Sequence, residues 1–194
     1  MRLMKTNKAV ALALLTAGLV PLAAQAESNL QTGAGALSVS ARVNFSIVIP
    51  RLLFLQVGTG TLLANNPTID TITFTPAVGV IGDGSVVNAT AGSGNLGNGA
   101  VTVRVIGNTG TVSLGATGPA NLTNVASNTI PWTQIATAVT GGATHPTING
   151  TGTTFTPSNG AVNINGTWTY TYLNANVPGA GTFTGQVLYT ATAP

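Results

Sequence analysis

The stretch GALSVSARVNFSIVIPRLLFLQVG, Gly35–Gly58, decides the fold class. Leu37, Val39, Ala41, Val43, Phe45, Ile47 and Ile49 take the odd positions, while Ser38, Ser40, Arg42, Asn44 and Ser46 hold most of the even ones. A period of two belongs to a β-strand with one apolar face and one wet face. Pro50 has no backbone N–H to give to a ladder, so it punctuates the run. Leu52, Leu53, Phe54, Leu55 and Val57 follow as a nearly continuous apolar segment, the pattern of a strand buried on both faces. The expectation is a core-forming strand pair of an all-β domain.

The rest of the chain repeats the theme. Val101, Val103 and Val105 alternate with Thr102 and Arg104, and Val112 and Leu114 mark the expected partner strand across Gly107–Gly110. Val162, Ile164, Trp168, Tyr170 and Tyr172 fall on one face of a further run, with Thr167, Thr169 and Thr171 on the other. The Asn165-Gly166 pair inside that run predicts a tight turn or a bulge. Phe183, Val187, Tyr189 and Ala191 alternate with threonines near the C-terminus. Shorter strands are expected at Ile69–Phe74, at Val78–Ile81 before the Asp83-Gly84 turn, from Val86, over Thr133–Val139 and around Phe155. Nothing has sustained helical periodicity. Short strands separated by Gly, Asn and Pro indicate a β-sandwich or barrel, and a single antiparallel β-sandwich over 37–194 is the expected fold.

The N-terminus reads as a targeting segment. Arg2, Lys5 and Lys8 precede an apolar run from Ala9 to Leu22, and Ala24-Gln25-Ala26 is an A-x-A cleavage site. Residues 1–26 are therefore expected to be a cleaved signal peptide for Sec export, and 27–36 a flexible segment before the domain. The destination would be periplasmic, cell-surface or extracellular, with no transmembrane anchor left in the mature chain. Without cysteine there are no disulfides and no thiolate metal sites. Beyond the signal peptide, Arg42, Arg51 and Arg104 balance Glu27, Asp70 and Asp83. Three scattered arginines cannot neutralise a phosphate backbone, which excludes nucleic acid as a partner.

Catalytic chemistry has few candidates. His145 in ATHPT is the sole histidine, and a hydrolase would have to combine it with Asp70 or Asp83. A two-carboxylate glycosidase would have to use the same two aspartates. No G-x-S-x-G elbow is present, and Asp83-Gly84 reads first as a turn. GSGNLG, from Gly92 to Gly97, matches a bare G-x-G-x-x-G but lies in no βαβ context, so it reads as a hairpin loop. No catalytic residue, cofactor or metal is expected. Trp132, Trp168, Tyr170 and Tyr172 could stack on sugar rings as a carbohydrate-binding surface, although the apolar neighbours of the last three favour core. An outer-membrane barrel lacks support, with no aromatic girdles and an Ala193-Pro194 ending.

The signal peptide, the first alternating run (ALSVSARVNFSIVIP) and the last one (GTFTGQVLYTATAP) together resemble bacterial fimbrial-type subunits and related small exported surface β-sandwich proteins. That resemblance implies an Ig-like or pilin-like sandwich acting as a non-enzymatic structural or adhesive surface protein. It further implies assembly by strand donation to another copy or another surface subunit; a periplasmic chaperone or a surface glycan is the other kind of partner expected. The donated face would be Leu37, Val39, Val43, Phe45 and Ile47, and the receiving C-terminal strand would carry Phe183, Val187 and Tyr189. Physically this is β-augmentation, in which backbone ladders supply affinity and alternate side chains set the register. Intramolecular pairing of the first and last strands fits the same residues.

Overall fold

The computed structural model describes residues 27–194, so the signal-peptide expectation for 1–26 lies outside the described residues. The chain divides after Ile49, with Pro50–Pro194 as a unit of its own. The sequence expectation starts the domain at Leu37, whereas the compact unit starts at Pro50.

Within Pro50–Pro194 the chain is all-β and antiparallel. The strands are β1 (Leu53–Val57), β2 (Val87–Asn88), β3 (Ala100–Gly107), β4 (Val112–Thr117), β5 (Asn121–Thr123), β6 (Thr129–Pro131), β7 (Ile135–Gly141), β8 (Thr153–Phe155), β9 (Val162–Tyr172) and β10 (Leu188–Thr192). The longest of them, β9, organises the larger sheet. Its one edge pairs with β3 and then with the short β2, and its other edge pairs with β7. The outer partner of β3 is β1. A second sheet has the order β10-β4-β8, and β5 with β6 makes a small hairpin.

Alternation explains the packing. On β3 the odd residues Val101, Val103 and Val105 are buried, and on β9 Val162, Trp168, Tyr170 and Tyr172 are buried. The smaller sheet contributes Val112 and Leu114 from β4 and Phe155 from β8 to the same core. Fully burying a Val or Leu side chain stabilises by roughly 1.5–3 kcal/mol, so these rows hold the sheets against each other.

Four expectations are corrected. Strands β3 and β4 do not form a hairpin, since each pairs within a different sheet. Both strands carry a fully apolar face, and crossing from one sheet to the other buries those faces against one another. A Cβ on Gly107 would stand 2.9 Å from Val112 Cγ2, so the crossing is tight at its start. Asn165-Gly166 makes neither a turn nor a bulge, because β9 keeps register with β3 and β7 straight through it. Gly166 is there for space: an added Cβ would meet the Thr140 carbonyl oxygen at 2.5 Å. Val78–Val80 forms one turn of 3₁₀ helix instead of a strand. Finally, β1 is not buried on both faces, as Leu53 is 40% exposed at the sheet edge.

Residues 27–49 are a separate matter. Arg42 Nε donates to Glu27 Oε2 at 2.7 Å, and the Ser38 N–H donates to Gln31 Oε1 at 3.1 Å. No strand is formed over 37–49, despite the most regular alternation in the sequence.

Candidate functional site

Two features stand out. The first is the segment Leu37–Ile49. All five residues of the expected donor face, Leu37, Val39, Val43, Phe45 and Ile47, are exposed, with Phe45 at 90% and Ile47 at 86%. Val48 and Ile49 are exposed as well. So much contiguous apolar surface on one short run is unusual for a solvated tail. The expectation that this run forms half of a core strand pair is therefore corrected.

The second feature is β10. It pairs with β4 on one side, from Leu188 opposite Thr117 to Thr192 opposite Ser113, and it is the terminal strand of its sheet. Such an edge leaves a row of backbone donors and acceptors without a ladder. Tyr189, Ala191 and Ala193 pack on the core while remaining only partly buried. Of the expected receiving residues, Tyr189 lies in the strand. Phe183 and Val187 precede it, half-buried, in a segment whose Thr184 bridges to Thr123.

Tyr189 also belongs to an aromatic cluster that ties the two sheets together. Its hydroxyl lies 2.9 Å from His145 Nε2 and 2.9 Å from the Tyr170 hydroxyl. The His145 ring stands edge-on to Trp168 with centroids 4.5 Å apart, and the Trp168 Nε1–H donates to the Ala143 carbonyl at 2.5 Å. Burial pushes the His145 imidazole down to about 4, against a smaller opposing pull from a backbone contact at Pro146. Burial likewise pushes the Tyr170 and Tyr189 hydroxyls up. At neutral pH the cluster is an uncharged hydrogen-bonded unit inside the core.

This arrangement separates the expected catalytic candidates. The Nε2 partners of His145 are two tyrosines, with no carboxylate among them. Asp70 accepts from Thr59, and Asp83 accepts from the Ser85 N–H at 2.7 Å while lying 3.4 Å from Asn174 Nδ2. Each aspartate is thus committed to hydrogen bonds away from His145. Among the described residues, no group of three His, Asp or Glu side chains converges to hold a metal ion. No helix among them is long and apolar enough to cross a membrane. The GSGNLG run leads directly into β3, with no helix after it.

The aromatics weighed as a sugar platform lie mostly inside the molecule, where their apolar neighbours pointed. Trp168, Tyr170 and Tyr172 are buried, and Trp132 is half-buried with its Nε1–H donated to the Pro119 carbonyl at 2.7 Å. They do not share an exposed surface.

Some organising residues carried no sequence signal. Asn174 is fully buried, accepting from the Gly82 N–H at 2.9 Å and donating to the Val80 carbonyl at 2.6 Å. An asparagine in a turn-rich stretch looks like any other until its partners are known. Neither a family model nor a curated protein matches this sequence.

Proposed function

We propose that the protein is an exported, non-enzymatic surface subunit that assembles by strand addition. The Leu37–Ile49 arm of one copy would pair with the free edge of β10 in the next. The body would then be a single Ig-like or pilin-like antiparallel β-sandwich, and the arm a mobile connector between successive bodies. The observation that carries this reading is the arm itself, a strand-competent sequence with its whole apolar face exposed. An unladdered edge at β10, with half-buried Tyr189 and Ala191 beside it, supplies a matching acceptor. The resemblance to fimbrial-type subunits points the same way, as does an N-terminus with the composition of a Sec signal. A periplasmic chaperone that shields the arm or the edge before assembly fits the same chemistry. The scarcity of titratable groups and the separation of His145 from both aspartates support a non-enzymatic role.

Cysteine pairing tests the geometry, because the chain has no cysteine of its own. Single cysteines at Ser38, Ser40, Asn44 and Ser46 in one copy are mixed with Thr190→Cys in another under mild oxidation. A disulfide needs Cβ atoms within about 4.5 Å, so only a docked arm forms the mixed dimer in quantity. Strand addition predicts strong cross-linking at one or two arm positions. Uniform, weak cross-linking at every position would refute it.

A further inference from the structure

The larger sheet has an outer face as well as a core face, and the outer face carries a groove. Side chains from β3, β9 and the end of β7, with Leu62 from the loop after β1, line this open groove of about 660 Å³. Register places its polar groups in rows. Thr102, Thr167 and Thr140 stand side by side across three strands, and Arg104 stands opposite Asn165 in the next row. Rows on one face are roughly 7 Å apart along the strand and strands about 4.8 Å apart, the scale of a sugar ring. Thr102 Oγ1 accepts from Asn95 Nδ2 at 2.8 Å. The side chains of Arg104, Asn163, Asn165, Thr140 and Thr167 make no hydrogen bond to another part of the protein among the described residues.

We infer that this groove binds an acidic saccharide, with Arg104 holding the carboxylate and the flanking amides and hydroxyls holding the ring hydroxyls. Arg104 is the only ionisable group in the lining, and no carboxylate opposes it. A guanidinium presents a planar fork that pairs with a carboxylate through two parallel hydrogen bonds. Asn and Thr side chains can each donate and accept, which suits hydroxyls that do both. Other occupants fit less well. A nucleic acid or a polyacidic peptide needs several cations, and here there is one. A peptide strand needs a free backbone edge, whereas the β3 and β9 backbones under the groove are already paired. The inference stands on its own observations and holds whether or not the protein polymerises.

The test is calorimetric titration of the purified protein with galacturonic acid trimer, beside maltotriose as the neutral comparison. Amide chemical-shift mapping locates the contact. Binding of the uronate trimer is expected to be at least tenfold tighter than that of maltotriose, with shifts confined to β3, β9 and β7. Arg104→Gln is expected to weaken it tenfold or more, and Arg104→Lys to recover only part, since an ammonium lacks the fork. Asn165→Ala should weaken it several-fold. All three variants should keep the wild-type unfolding midpoint and the wild-type assembly behaviour. The inference is overturned if no heat or shift appears at about 10 mM trimer, tenfold above a 1 mM dissociation constant. Equal binding of acidic and neutral trimers overturns it as well, and so does an Arg104→Gln variant that binds as tightly as wild type.

Discussion

Residues 37–49 and strand β9 carry the same kind of message and meet opposite ends. Both alternate apolar and polar residues with a period of two. In β9 the apolar row ends up under two sheets, with Trp168 fully buried. In the arm the equivalent row points into solvent, Phe45 most of all. Alternation therefore specifies that a segment can form a strand with a buried face. It does not specify which chain supplies the partner. The difference lies in the neighbours: β9 has partner strands on both edges, whereas Pro50 closes the arm before the body begins.

Mutations should split along that line, the largest effects on stability belonging to β9. Trp168→Ala removes the largest fully buried side chain and its bond to Ala143, and is expected to cost about 3–5 kcal/mol. Urea unfolding would show a lower midpoint with an unchanged slope. Gly166→Ala drives a Cβ against the Thr140 carbonyl and should cost about 1–3 kcal/mol through displacement of β7. Faster amide exchange across β7 would report it. Tyr189→Phe deletes one hydroxyl from the His145–Tyr170 unit and should cost about 0.5–1.5 kcal/mol. Phe45→Ala in the arm should change unfolding by under about 0.5 kcal/mol, because it touches little, while abolishing assembly. If Phe45→Ala instead destabilised the body as strongly as Trp168→Ala, the two regions would not differ in kind.

Acid provides a further probe of the body alone. His145 stays neutral in the folded state down to about 4, while the unfolded chain takes up that proton near its ordinary 6.5. Between these values the unfolded state binds more protons, so stability is fully present above 6.5 and declines as pH falls toward 4. Thermal midpoints should follow that slope in the wild type and flatten in His145→Gln.

Much of the body is legible in its sequence. The alternating valines of β3 and the aromatic face of β9 are readable because burial on one face leaves its period in the sequence. The sheet assignment of β4 is not, since a short glycine-rich connection suits a hairpin and a crossing between sheets equally well. Nor is the role of Gly166, whose reason is the closeness of the Thr140 carbonyl on a neighbouring strand. The groove around Arg104 is invisible there because its Thr and Asn residues occupy ordinary outward positions. Only register shows that Thr102, Thr167 and Thr140 are neighbours. The His145–Tyr189 contact joins residues 44 apart in sequence, and no spacing rule links them.

The central claim is that the exposed arm finds its partner in another copy. Light scattering coupled to size-exclusion chromatography, across a range of concentrations of residues 27–194, tests it most directly, beside a Phe45→Asp/Ile47→Asp variant. Strand addition predicts mass that grows with concentration in the wild type and a folded monomer at every concentration in the variant. A wild type that stays monomeric throughout would contradict the account, and so would a variant that assembles equally well.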